Sequence, residues 1–416
     1  MWNPHRHILR SERWRFVEVR HLLLITAFLA MLGPTSAHAE GSESIWDGLQ
    51  VHGFASQAAI WTSDNRFFGN SPETSFAFTE IGLNASLPIN PRILLSGQLL
   101  ARRAGDMYDG TPELDYGLAD ITLASSNEQR WGVRVGRVKN PLGIYNETRD
   151  VPFTRPGIFL PQVIYYDKIR NLALSTDGLM FYGESYIDQG ALSLTLGGGQ
   201  PVIDDNVGWT FLRNNYDGEF QTDNKTGLVQ LWYSTPGERF KFGLSGIMLS
   251  LRFDPGQHSP LRSGTTDIFY WIASIQYDTE DWTLSAEYLR EPLAWGDYGP
   301  FFPNFKTTVE GYYLQGTYRI RPNIELLMRY EEGFANRNDR DGVRFSTRTG
   351  GLFPPFAGFS KIWTAGLRWD INRQWMVRAE YQRHHGTFVL SFRENPDLGQ
   401  LREYWNLFAV QAAFRF

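Results

Sequence analysis

The sequence predicts an all-β chain: a transmembrane antiparallel β-barrel of about sixteen strands, with a long third loop folded into its lumen. Three observations predict it. An export signal lies near the N-terminus, segments of ten to sixteen residues alternate apolar with polar positions, and the connections between them alternate short with long. Composition agrees, with 14 Trp, 19 Tyr and 29 Phe making 15% of 416 residues, alongside 40 Gly.

Composition also removes several classes. With no cysteine there is no disulfide scaffold, thiolate metal site or thiol nucleophile. Charged residues are 20% of the chain, and no apolar run is long enough for a membrane helix. A net charge of −5 argues against nucleic acid as a partner.

The leader comes first. Arg10, Arg13, Arg15 and Arg20 precede an apolar run from Leu22 to Leu32, Gly33-Pro34 break it, and Ala37-His38-Ala39 has the small-x-small form of a cleavage site. An eleven-residue run is too short for a membrane core that needs about 20 residues. Residues 1–39 are therefore expected to be a cleaved signal peptide, leaving 40–416 as one barrel domain. The charged stretch ahead of the apolar run is long, as a start codon downstream of Met1 would make it.

The strands follow in order at 49–61, 76–88, 91–103, 112–125, 130–139, 171–185, 190–199 and 224–235. The second half continues with 238–252, 266–278, 281–291, 306–320, 323–334, 359–371, 373–386 and 401–416. In the second strand Ile81, Leu83, Ala85 and Leu87 alternate with Glu80, Gly82, Asn84 and Ser86. In the fifteenth, Trp375, Val377, Ala379 and Tyr381 alternate with Met376, Arg378, Glu380 and Gln382. Successive side chains of a strand point to opposite faces, so each segment has one apolar and one mostly polar face. Connections after even-numbered strands are short, such as Pro236-Gly237 and Arg321-Pro322. Those after odd-numbered strands are long: 62–75, 104–111, 140–170, 200–223, 253–265, 292–305, 335–358 and 387–400. Short periplasmic turns and long external loops are the rhythm of an outer-membrane barrel with an even strand count.

The last segment places Tyr404, Asn406, Phe408, Val410, Ala412, Phe414 and Phe416 on one parity. A terminal aromatic such as Phe416 is what the barrel-insertion machinery is expected to engage. The aromatic excess is expected in girdles where lipid meets water.

The third connection carries a family resemblance. Gly136-Arg137-Val138-Lys139-Asn140-Pro141-Leu142-Gly143, followed by Arg149-Asp150, Phe153 and Arg155, resembles the region after the fifth strand of phosphate-selective porins. Its placement is similar to the infolded third loop of trimeric sixteen-stranded porins. The resemblance implies an outer-membrane barrel whose third loop folds inward and narrows a channel. The chain departs from that family in showing no arginine and lysine ladder that can be placed strand by strand.

Candidate site residues follow from the loop and from parity. Pro141, Pro152, Pro156 and Pro161 stiffen the loop. Glu147, Arg149, Asp150, Arg155, Asp167 and Lys168 place both signs of charge within it, next to Lys139 at the end of the fifth strand. If Trp131, Val133 and Val135 face lipid, Arg134 faces the lumen, and the same rule turns Arg329, Arg368, Arg378 and Glu380 inward. These twelve residues are the expected pore lining and constriction. Arg329, Arg368 and Arg378 form a basic strip along one wall in this reading. The alternative is that the loop charges pair internally and fasten the loop to the wall.

The expected function is passive diffusion of small hydrophilic solutes through a weakly anion-preferring porin, the expected partners being outer-membrane lipid and two further copies in a homotrimer. The alternatives are a channel selective for phosphate or a carboxylate, and a plugged structural or adhesion barrel. Small residues on the first strand (Val51, Gly53, Ala55, Ala59) and on the last (Val410, Ala412) are the expected trimer seam. No cofactor, metal or enzymatic activity is expected. His384 and His385 point to opposite faces of a strand, and no G-x-S-x-G elbow occurs.

Overall fold

A computed structural model describes residues 45–213, 215–223 and 226–416, and the barrel unit runs from Gly48 to Phe416. The signal-peptide reading of 1–39 lies outside the described residues. The first strands are β1 (Gln50–Thr62), β2 (Ser75–Asn90), β3 (Ile93–Ala104), β4 (Tyr108–Ser125), β5 (Gln129–Lys139), β6 (Ser175–Ile187) and β7 (Gly190–Pro201). β8 comes in two pieces, Gly218–Thr222 and Gly227–Ser234. Then follow β9 (Phe240–Pro255), β10 (Gly264–Asp278), β11 (Trp282–Gly296), β12 (Phe305–Arg321), β13 (Ile324–Phe334), β14 (Phe359–Asp370), β15 (Trp375–Gly386) and β16 (Tyr404–Arg415).

Every neighbouring pair is antiparallel, and β1 pairs with both β2 and β16, closing the sheet. The two pieces of β8 pair with successive parts of β9, Thr222 opposite Leu251 and Gly227 opposite Met248, so they count as one stave of a sixteen-stranded barrel. Closure leaves no unpaired sheet edge, the condition for a sheet in hydrocarbon.

Parity is kept around the sheet. On β15, Met376, Arg378, Glu380, Gln382 and His384 are buried, whereas Trp375 and Tyr381 are exposed. On β16, Trp405, Leu407, Ala409, Gln411 and Ala413 are buried, whereas Tyr404, Phe408 and Val410 are exposed. Leu314, Met328 and Trp363 continue the exposed apolar face on β12, β13 and β14. Ring pairs gather beside the short turns: Phe240 with Tyr277 at 4.6 Å, Trp282 with Tyr318 at 4.3 Å, and Trp375 with Phe414 at 4.9 Å. This is the girdle expected from composition.

Two expectations need correcting. The loop expected at 104–111 is a tight turn, 105–107, because β4 starts at Tyr108 and Gly105 reverses the chain at φ +55°. The sixth strand starts at Ser175 because the third loop ends in a short helix, α1 (Arg170–Leu174). Two more loops hold helices, α2 (Asp205–Leu212), capped by the Asp204 side chain accepting from Asn206 N, and α3 (Val343–Arg348).

The buried face is less wet than alternation suggested. Ile247, Leu249 and Leu251 of β9, Ile268 and Ile272 of β10 and Leu289 of β11 form one apolar cluster with Leu160, Val163 and Ile164 of the third loop. A second cluster joins Ile158 and Phe159 of the loop to Phe67, Phe68, Phe78 and Trp405. The loop is therefore packed like a core segment.

Candidate functional site

The site is built on residues 140–170. Its two ends are tied together, since Asn140 N donates to Leu174 O at 2.8 Å and Asn146 Nδ2 donates to Asn140 O and Ala173 O at 2.9 Å each. Pro141, Pro152, Pro156 and Pro161 remove backbone donors, and wall side chains take over the role of a strand ladder.

Glu287 of β11 is the main anchor on one side. Its carboxylate accepts from Ile144 N at 2.9 Å, Ser274 Oγ at 2.6 Å, Tyr313 Oη at 2.9 Å and Tyr165 Oη. Gly143 N donates to Ser245 Oγ at 2.8 Å. Gly143 has φ +60°, and a Cβ there would lie 2.4 Å from Tyr165 Oη and 2.6 Å from Glu287 Oε1, so only glycine fits this approach.

The opposite anchors come from β2, β3, β13, β14 and β15. Arg155 reaches Glu80 in two bonds, at 3.2 and 2.6 Å, and Arg102 meets Asp167 at 2.7 Å. Arg368 Nη1 donates to Phe153 O at 3.2 Å, Arg378 Nη1 to Arg155 O at 3.0 Å and to Gly157 O, and Arg329 Nη1 to Phe159 O at 3.2 Å. Glu380 accepts from Ile158 N at 2.6 Å. The strip of three arginines exists, but it binds loop carbonyls. Arg329 and Arg378 are 1% and 2% exposed, not the water-facing wall that parity alone suggested. Parity sees only the strand, and the loop that covers it comes from elsewhere in the chain.

At the loop's root Asp150 is bonded to both Lys139 and Arg170, and Asp115 pairs with Lys139 at 2.7 Å. Burial pushes the Asp150 carboxyl up, but the Arg170 and Lys139 charges outweigh it and hold it well below the usual carboxylate range. Arg149 Nη2 donates to Tyr165 O at 3.1 Å, closing the loop on itself. Lys168 donates to Phe388 O at 2.7 Å, and burial draws its ammonium down to about 8 against the pull of Glu291. Arg134 pairs with Asp120 at 3.2 Å and with Glu147 at 3.7 Å, its side chain one-third exposed. Arg368 also keeps some exposure, beside Asp370 at 3.1 Å.

All twelve expected residues thus lie in the loop or near it, and most are paired. Glu80, Arg102 and Asp115 were missed as partners. Their signal was parity, since Glu80 shares the buried side of β2 with Phe78. A polar cavity of about 310 Å3 adjoins the root, lined by Arg102, Tyr108, Asp115, Arg170, Asp204 and Arg393 among others.

No known family matches the chain, nor does any curated protein. Solved structures do. The trimer form of OmpT, an outer-membrane protein of Vibrio cholerae, is 12% identical, with 88% of this chain and 99% of that one covered and a TM-score of 0.54. The anion-selective porin from Comamonas acidovorans is 11% identical over 88% of this chain and 99% of that one, with a TM-score of 0.54. The outer-membrane channel DcaP of Acinetobacter baumannii is 10% identical over 88% and 97%, again with a TM-score of 0.54. The chain has the sixteen-stranded barrel fold of the bacterial outer-membrane porins.

Proposed function

We propose that the chain is an outer-membrane porin through which small hydrophilic solutes diffuse past a constriction formed by residues 140–170 inside the lumen. The observation that carries this is the closed barrel with apolar side chains exposed on one parity and a loop bonded to the other, from Glu80 on β2 round to Glu287 on β11 and Glu380 on β15. Weak anion preference belongs to the same reading. Arg134 and Arg368 stay partly open, and each sits beside an acid, which limits the field a permeating ion meets. The anion-selective character of the Comamonas acidovorans porin supports the same sign.

Reconstitution in planar bilayers tests it. Discrete conductance steps with a reversal potential slightly on the anion side are expected in a salt gradient. Strong cation selectivity would refute the charge assignment. A second reading, a plugged barrel, is favoured by the near-complete burial of the loop between Leu160 and Tyr166. Folded protein that inserts without conducting would support that reading instead.

A further inference from the structure

Beyond the anchors, where Tyr166 and Lys168 of the loop meet β11, β12 and three further long loops, lies a second cavity of about 200 Å3. Its walls are aromatic. Trp295 stacks on Phe305 at 5.4 Å and meets Phe211 edge-on at 6.2 Å, while Phe388 meets Tyr166 at 6.1 Å.

Two polar groups in these walls are left without partners. Trp295 Nε1 and Tyr166 Oη are buried without a hydrogen-bond partner among the described residues, and Tyr166 is only 5% exposed. An indole N–H can only donate. Buried donors left unpaired are unfavourable, so an occupant that brings acceptors is favoured. Lys168 and Arg348 also line the cavity, against Glu291, which faces Lys168, and Asp339, whose carboxylate is taken up by the backbone N–H groups of Arg344 and Phe345.

An organic cation fits this box poorly. The Arg348 guanidinium already lies over the Phe305 ring at 4.8 Å and the Lys168 ammonium over the Phe388 ring at 4.3 Å, so the chain's own cations take one face of each of these two rings and leave the Trp295 and Phe211 rings to a neutral ring. The volume is below the roughly 300–1,000 Å3 of sites for drug-sized ligands, which limits the occupant to about one ring. We propose that this cavity binds a small monocyclic aromatic carboxylate. Its ring lies against the aromatic walls and its carboxylate accepts from the Trp295 and Tyr166 donors and the two cations.

The site does not require the barrel to conduct, so the test is binding, kept separate from conductance. The folded full-length protein in detergent is titrated calorimetrically with benzoate and with benzylamine. Folding of each variant is checked by its heat-modifiable mobility on gels. Saturable benzoate binding is expected, with benzylamine at least about tenfold weaker. Trp295→Phe keeps the wall and removes the donor, and Arg348→Met removes the cation at an exposed position of α3, outside the barrel strands. Each is expected to weaken benzoate several-fold, by about tenfold where a charged bond is lost. Absence of saturable benzoate binding, equal binding of benzylamine, or unchanged affinity in both folded variants would overturn the proposal.

Discussion

Glu287 illustrates how much of the loop's position depends on single side chains. Four donors from β10, β12 and the loop converge on its carboxylate. Glu287→Leu orphans the Tyr165, Ser274 and Tyr313 hydroxyls in a buried site, Ile144 N alone keeping a second acceptor in Tyr165 Oη, at about 1–3 kcal/mol for each donor left unpaired. A marked fall in the thermal unfolding midpoint is expected by calorimetry, with Glu287→Gln falling less because an amide oxygen still accepts. Arg329 and Arg378 act in the same way through Phe159 O, Arg155 O and Gly157 O. Replacing both with Ala is expected to release the loop, seen in bilayers as larger, noisier conductance steps. An unchanged single-channel record would refute that role. For the proposed anion preference, Arg134→Ala with Arg368→Ala is expected to move the reversal potential toward cations, because these two keep contact with solvent.

Among the elements, the loops at the end away from the short turns are latched by one carboxylate. Glu394, in the connection between β15 and β16, accepts from Phe68 N at 2.9 Å, Gly69 N at 2.6 Å and Asp106 N at 3.3 Å. It thereby joins the β1–β2 loop to the β3–β4 turn. Burial pushes its carboxyl up to about 7, against the opposing effect of those three N–H donors. A carboxyl raised above its unfolded value of 4.5 contributes stability that is complete below that value and is lost as pH rises through about 7. The latch is therefore tighter at pH 5 than at pH 8. Amide exchange at Phe68 and Gly69, corrected for intrinsic rate, is expected to be slower at pH 5 by about tenfold or more. Glu394→Gln is expected to abolish that pH dependence. Gly105→Ala should open the latch at any pH, since a Cβ there would overlap Glu394 Oε1 at 1.7 Å.

For the whole molecule, the seam where β1 meets β16 sets Ala55 opposite Phe414, Gln57 opposite Ala412 and Ala59 opposite Val410. Ala55 and Ala59 share the outward parity with exposed Trp61, so a shallow small-residue strip remains for a neighbouring copy. Gly53 has a different cause: a Cβ there would lie 2.5 Å from the Phe416 ring, which packs over it. We propose a homotrimer through this face. Cross-linking in mild detergent is expected to return trimers, and Ala55→Trp with Ala59→Trp is expected to shift them to monomers. Monomers alone from the unaltered chain would count against it.

The barrel was legible in the sequence because the period of two in a strand is local. Trp375 to Gln382 assign their own faces, and the even and odd connections count the staves without any long-range information. That a long, stiffened loop follows Lys139 was legible for the same reason, from its prolines and its length. What binds that loop was not. Glu80, Arg102 and Glu287 lie 75, 65 and 143 residues from the loop partners they hold, and no local pattern encodes such pairings. The turn at Gly105 depends on Glu394, which approaches it from the far end of the chain. Whether an inward arginine meets water or a carbonyl is decided by which segment covers it. For Arg329 and Arg378 that is a matter of tertiary packing, because the covering backbone at 155–159 belongs to another part of the chain.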